Sequence, residues 1–250
     1  NTFSAGIELQ ARYTLIAEGT RGSLTKTLER KFNLRAHAEP QKYGLGVKEI
    51  WAVDPQHHRE GSVTHTQGWP LDNQTGGGGF IYHLADHKVA IGFVVHLNYR
   101  NPHLNPFEEF QRFKTHPAIK PLLINGKRIA YGARTINEGG IQSLPELVFP
   151  GGALIGCAAG FVNLPRIKGS HNAMKSGMLA AEAIIETLTQ EQQRPLLAAY
   201  PEKIRNSWLW KDLYAVRNVK PALSTWGNIG GTLYGGLDMW LHSLGINLPR

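Results

Sequence analysis

The most chemically suggestive run in this 250-residue chain is GCAAGFVNLPRIKGSHNAMKSG, Gly156 to Gly177, a spacing of small and polar residues rather than a nucleophile beside its base. Gly169 and Ser170 lie where the chain must turn into a helix. The first turn of a helix exposes unpaired N–H groups and a partial positive charge, which suits an anion or an electron-rich oxygen. Ala173, Gly177, Ala180 and Ala181 give that helix a thin face, able to approach a sheet or a flat ring closely. The competing reading is a tightly packed helix with Ser170 as a simple cap.

Other residue types offer less. Gly76 to Gly79 precede a strand-like run, and consecutive glycines either cradle a ligand against bare backbone or merely turn the chain. Of the eleven histidines, His57, His58 and His65 fall in a polar stretch and His83 and His87 flank an apparent turn; without an HExxH pattern they read as surface and core histidines. Tyr82, His83 and Tyr131 could donate protons by residue type, with ordinary packing the better reading of each. One cysteine, Cys157, excludes an internal disulfide framework or an all-cysteine metal site within these residues and implies a reducing compartment.

Lys and Arg outnumber Asp and Glu by 27 to 19, and the excess is spread along the chain, which favours contact with an anionic surface. Zinc-finger spacing and basic helices interleaved with stacking aromatics are missing, so acidic lipid is preferred to nucleic acid. The opening NTFSAGIELQ has no initiator Met, signal peptide or Arg-rich transit segment, and reads as a processed chain or a fragment.

Elements must position these residues. Ile7, Leu9 and Ala11 alternate with polar residues, and ARYTLIAEG continues as an apolar run, predicting two strands or one bent strand ending at Gly19. Ser23 to Leu34 predicts an amphipathic helix capped by Ser23. From Tyr43 to Asn98 strand patterns predict an antiparallel sheet, with Ala85-Asp86-His87 as a hairpin connection. Phe107, Phe110 and Phe113 predict a helix stopped by Pro117. Leu147 to Gly160 reads as an apolar strand entered through Pro-Gly-Gly, followed by a helix to about Leu188. Residues 197–216 read as a helix with Tyr200, Ile204, Trp208 and Trp210 on a bulky face. The apolar tail is too interrupted to span a membrane, because Gly230-Gly231 and Gly235-Gly236 are expected to break it.

LIGCAAGFVNLPRIKGSHNAMKSGMLAAEAI, together with LIAEGTRGSL, GWPLDNQTGGGGFIYHL, KRIAYGARTINEGGIQSLPEL and NSWLWKDLYAVRNVKPAL, closely resembles the electron transfer flavoprotein-ubiquinone oxidoreductase family over nearly the whole chain. The resemblance implies an FAD and iron-sulfur enzyme that takes electrons from electron transfer flavoprotein and reduces ubiquinone at a membrane surface. It implies an α/β fold with an α+β insertion: a partial FAD-binding fold over 1–35 and 140–195, an inserted antiparallel quinone-binding sheet over 36–139, and a helical region with a membrane-interface tail over 196–250.

It also implies the site. Gly156 and Cys157 stand where related flavoproteins carry glycine-aspartate, so Cys157 is either a cofactor contact or a small buried hydrophobe. Asn163, Pro165, Gly169, Ser170 and Asn172 would surround the flavin. Glu18 and Gly19 match a second nucleotide-contact motif, and Arg21 either meets phosphate or is solvated. Backbone at Gly77 and Gly78 would contact the quinone head group. Trp226, Tyr234 and Trp240 suit a membrane interface, with Lys211, Arg217, Lys220 and Arg250 positioned to meet acidic headgroups, the alternative being a tail that packs within the protein or against a second subunit. The expected location is monotopic, on the cytoplasmic face of a bacterial inner membrane or the matrix face of the mitochondrial one.

Two parts of such an enzyme have no counterpart in these residues: the strand-GxGxxG-helix unit for the FAD pyrophosphate, and the cysteine ligands of the cluster. The alternatives are therefore a folded binding module without redox activity, or a related reductase or hydroxylase of the same flavoprotein group.

Overall fold

The computed structural model describes residues 4–190 and 195–249. In chain order its elements are β1 (Thr14–Ile16), α1 (Ser23–Lys31), β2 (Tyr43–Ala52), β3 (Val63–Gln67), β4 (Gly77–His83), β5 (Lys88–His96), α2 (Pro106–Lys114), α3 (Lys120–Leu123), β6 (Lys127–Asn137), β7 (Val148–Phe149), β8 (Gly152–Leu154), α4 (Gly156–Ala159), α5 (Ser170–Leu188), α6 (Ala199–Asn206), α7 (Trp208–Ala215) and α8 (Val219–Ser243). They form an α/β arrangement with two sheets, one ordered β1-β8-β7 and the other β3-β4-β5-β2-β6.

In the small sheet β1 runs parallel to β8, Thr14 opposite Gly152 and Ile16 opposite Leu154, although 135 residues of chain lie between Ile16 and Gly152. Its core gathers Ile16, Phe149, Leu154, Phe161 and Leu179 with Tyr200, Ile204, Leu209 and Leu213 of α6 and α7. The large sheet is antiparallel throughout. Strict alternation puts Val89, Ile91, Phe93 and Val95 of β5 on one buried face, where Phe110 and Phe113 of α2 cover them. The β4–β5 hairpin closes on Asp86 and His87, both with positive φ, as the right-handed strand twist favours.

Several expectations are corrected. Residues 4–13 form no strand, and Ile7 and Leu9 are 91% and 88% exposed, because alternation makes a strand only beside a hydrogen-bonding neighbour. Ser23 does not cap α1; the Glu18 carboxylate does, accepting from the amides of Leu24 and Thr25 and from the Thr25 hydroxyl. Phe107 is exposed, since a spacing of three drifts round a helix of 3.6 residues per turn. The Leu147–Gly160 run is a two-strand hairpin followed by a helical turn, and residues 197–216 are two helices broken at Ser207.

The largest correction concerns the tail. Neither glycine pair interrupts α8; the one non-helical residue inside it is Gly227, with φ 71° and ψ −171°. There the chain reverses, so that residues 228–243 return along residues 219–226: Gly231 faces Leu223, Gly235 faces Val219, and Asn218 Nδ2 donates to Asp238 Oδ1 at 3.1 Å. One glycine of each pair lies buried in this contact, where small residues let helix backbones approach. Arg250 lies outside the described residues.

Candidate functional site

Loops at the carboxyl ends of the parallel strands β1 and β8 emerge side by side, tied by the Ile155 amide donating to Ile16 O at 3.0 Å. Crevices at such strand ends are where open α/β sheets bind ligands. From β1 come Glu18, Gly19 and Arg21. Glu18 is occupied at the start of α1, Gly19 turns the chain at φ 80°, and Arg21 lies over the Tyr43 ring. The Thr25 amide and hydroxyl, donating to Glu18, hold its carboxyl below the usual range.

From β8 come Gly156 and Cys157. Gly156 has φ 58°, and a Cβ on it would stand 3.2 Å from that of Ala173, so glycine is what lets this turn lie flat against α5. Its amide donates to Ser176 Oγ at 2.9 Å. Asn137 Nδ2 donates to Cys157 O at 2.8 Å, and burial pushes the Cys157 thiol up, keeping it protonated at neutral pH.

The first turn of α5 lies beside these loops and has no side-chain cap: Gly169 takes the cap position, and a Cβ there would meet Cys157 Sγ at 3.9 Å. Asn172 is fully buried, its Nδ2 donating to Phe161 O at 2.9 Å while its Oδ1 has no hydrogen-bond partner among the described residues. Asn163 is equally buried, but it joins Asp212 Oδ2 and the Arg166 amide, so its side chain braces the segment. Asn163 also pairs with Lys168 in a short hairpin that carries Pro165.

That hairpin reaches a second site. A mostly apolar cavity of about 490 Å³ lies between the β3–β4 edge of the large sheet, the 163–168 hairpin and the second arm of α8. Gly77, Gly78 and Pro165 all line it, with Val162, Leu164, Thr232 and Met239. Gly77, at φ 150°, lies so close to the Val94 carbonyl that no side chain fits. The structure thus brings Gly77, Gly78 and Pro165 onto one cavity, and Glu18, Gly19, Gly156, Cys157, Gly169, Ser170 and Asn172 onto the neighbouring strand ends. Of the residues considered as proton donors, none lines the cavity: Tyr131 is 80% exposed on β6, Tyr82 meets His65 at the sheet edge, and His83 accepts from the Arg59 amide.

Sequence reasoning missed the charged group at the cavity wall. Glu138 and His96 line the cavity, and Lys220 joins them, its Nζ 2.9 Å from Glu138 Oε2 and 2.8 Å from His96 Nδ1. Lys220 is 4% exposed, so it is not the headgroup contact expected from its place beside the tail. Residues 42 and 82 positions away from Glu138 complete the group, a separation no local pattern signals.

The outer face of the second arm presents Ile229, Leu233, Leu237 and Trp240, continued by Leu244, with Trp226 on the first arm edge-on to Tyr234 at 4.7 Å. Lys211 is exposed, while Arg217 stacks on Tyr214 and donates to Leu248 O. Among the described residues no helix is long and apolar enough to cross a membrane.

The family model described as ETF-QO, ubiquinone-binding, matches residues 43–136, which include the large sheet. The chain is 54% identical to the mitochondrial electron transfer flavoprotein-ubiquinone oxidoreductase of Bos taurus, the match covering 96% of this chain and 40% of that protein. With the protein of the same name from Dictyostelium discoideum it shares 53% identity, again over 96% of the chain and 42% of the relative. The geranylgeranyl bacteriochlorophyll reductase-like protein of Thermoplasma acidophilum has a related fold, with TM-score 0.64 at 15% identity over 94% of this chain and 62% of that one. The chain, spanning about two-fifths of the curated relatives it matches, belongs to the electron transfer flavoprotein-ubiquinone oxidoreductase family.

Proposed function

We propose that these residues form the flavin- and quinone-facing part of an oxidoreductase that passes electrons from electron transfer flavoprotein to ubiquinone at a membrane surface. The observation that carries this reading is the apolar cavity that meets the Asn163–Lys168 hairpin on one side and the second arm of α8 on the other. A lipid-soluble ring would reach it along the apolar arm and stop where the hairpin separates it from the strand ends.

FAD fits the strand-end site. The uncapped first turn of α5, with glycine at its cap position, and the Asn172 Oδ1 without a partner among the described residues are what a polar, flat ring needs from a protein. When bound, the flavin supplies the redox chemistry. The chain's own part is to hold and tune it: the amides of Ser170 and His171 favour negative charge on the ring, and Cys157 and Gly169 leave room beside it. Gly19 and Arg21 lie within the same loop cluster and would meet more distant parts of the cofactor. In the cavity, the amides of Gly77 and Gly78 would orient a quinone carbonyl.

The exposed Trp226 and Trp240, with the half-buried Tyr234 between them, would sit in one leaflet, with Lys211 near the headgroups. Mitochondrial names among the relatives favour the matrix face of the inner membrane over a bacterial surface. The iron-sulfur cluster of the whole enzyme would draw its ligands from elsewhere, since Cys157 is the single cysteine here.

An FAD titration of the purified chain, read by visible absorbance and flavin fluorescence, tests the cofactor site. Saturable binding with a perturbed spectrum is expected; a folded chain that leaves the spectrum of free FAD unchanged argues for a binding module without redox function. In the full-length protein, Gly78→Val should abolish quinone reduction while leaving the flavin spectrum intact, and retention of quinone reduction would remove the quinone assignment.

A further inference from the structure

Quinone reduction consumes protons as well as electrons, and the apolar cavity is a poor place to find them. A polar cleft of about 200 Å³ lies on the other side of its wall, lined by Lys42, Gly139, Gln142, Ser143, Ser224 and Lys220 among others. Lys220 belongs to that cleft, whereas Glu138 and His96 belong to the apolar cavity, and the three side chains touch. The wall between the two spaces is therefore made, at this point, of ionisable groups.

We propose that Glu138 delivers the protons for quinone reduction and that Lys220 reloads it from the polar cleft. This rests on the quinone assignment of the cavity. Glu138 has no exposed side-chain surface, and its Oε1 has no hydrogen-bond partner among the described residues; His96 Nε2 stands 3.4 Å from it. Its other oxygen, Oε2, receives Lys220 at 2.9 Å. One oxygen thus faces the proton source, while the other lies buried beside His96 and Gly44 in a residue that lines the apolar cavity.

The two electrons that turn quinone into quinol would come from the bound flavin, and the chain's own residues supply the two protons. As a quinone oxygen gains charge, the Glu138 O–H bond breaks and the quinone O–H bond forms. The carboxylate then takes a proton from the Lys220 ammonium, and the resulting amine takes one from water in the polar cleft. Repeating the cycle delivers the second proton and gives the quinol.

Burial supports the transfer by raising the Glu138 carboxyl, which Lys220 only partly offsets, and by lowering the Lys220 ammonium. The gap between acid and base is narrower than in water, so a proton moves between them at less cost. His96 is held neutral: burial, then Lys220 and Lys42, bring its pKa to about 3. It accepts from Lys220 at Nδ1 and acts as a positioning residue. The other charged or titratable groups facing this cluster are Lys42 and Glu39 at the polar cleft and His65 across the cavity.

The test compares acceptors in the full-length holoenzyme. Ferricenium takes an electron without a proton; a short-chain ubiquinone analogue needs both. E138Q should lower quinone reduction roughly a hundredfold relative to ferricenium reduction by the same preparation, as loss of a general acid does, with formate or azide restoring part of the rate. Wild-type quinone reduction should slow in D2O more than ferricenium reduction does. If E138Q leaves Lys220 too exposed to an unpaired charge and fails to fold, E138Q/K220Q, which removes both charges, replaces it with the same expected ratio. An unchanged ratio, or no rescue by small acids, overturns the relay. Failure of the wild type to reduce the quinone while ferricenium is reduced would instead overturn the quinone assignment itself.

Discussion

Gly231 lies against the backbone of Leu223, so closely that a Cβ built on it would stand 2.5 Å from Leu223 Cα and 2.6 Å from its nitrogen. This contact, with that of Gly235 on Val219, holds the two arms of α8 together and so sets the wall of the apolar cavity. Gly231→Val should destabilise the fold by about 2 kcal/mol, as overpacking does, and open the cavity. Urea denaturation reads the first effect, and binding of an apolar dye to the opened cavity the second. Gly236→Ala, at an exposed position with open space around it, is the control and should stay near wild type.

Glu49 is buried on β2 between two cations and an indole, accepting from Lys114 Nζ at 2.8 Å, Trp51 Nε1 at 2.8 Å and Arg128 Nη1 at 3.1 Å. Burial pushes its carboxyl up, but these donors together win and hold it below the usual range. Glu49→Gln leaves Lys114, whose side chain is only 12% exposed, without its charge partner and should cost roughly 3 kcal/mol at neutral pH. A depressed carboxyl stabilises the fold above its unfolded pKa, and that contribution is lost as pH falls through the folded value. The stability gap between variant and wild type should therefore close in acid, and a gap independent of pH would show that the charge is not what matters.

Glu18 offers a contrast at the surface. Its carboxylate is the N-terminal acceptor of α1, so Glu18→Ala should lower the melting temperature at neutral pH and fray α1 in hydrogen exchange. Because the Thr25 donors depress its pKa, this contribution too is present above the unfolded value and disappears as pH falls through the folded one. Equal protection of the Leu24 and Thr25 amides in the variant would contradict the capping role.

The outer face of the α8 arm should bind lipid. Trp240→Glu, with Leu233→Glu as a second site, should weaken co-sedimentation with anionic liposomes without shifting the urea midpoint, since both side chains are mostly exposed. Unchanged sedimentation of the double variant would mean that this face meets protein rather than membrane.

Local pattern carried much of this protein. Alternation over Lys88–His96 defined β5 and its buried face, the Ala85-Asp86-His87 connection defined its hairpin, and the small residues after Gly169 defined α5 with its thin side. The motifs around Gly156 and the run Gly76–Gly79 were legible as places of close backbone approach, because only glycine tolerates them. Pattern misled where a neighbour was required. The alternation of Ile7, Leu9 and Ala11 lacks a pairing strand, and the glycine pairs of the tail look like breaks only until an opposing helix is there for them to pack against.

Most of the elements, the family resemblance and the residue types available for binding were legible along the chain. The tertiary structure alone decided which of those residues meet. Glu138, His96 and Lys220 come from the end of β6, the end of β5 and the start of α8, and their chemistry depends on 2.8 and 2.9 Å contacts inside a buried wall. Periodicity reports on near neighbours along the chain, whereas desolvation and charge pairing depend on distances across it, and those exist only once the helix of the tail has folded back onto the sheet.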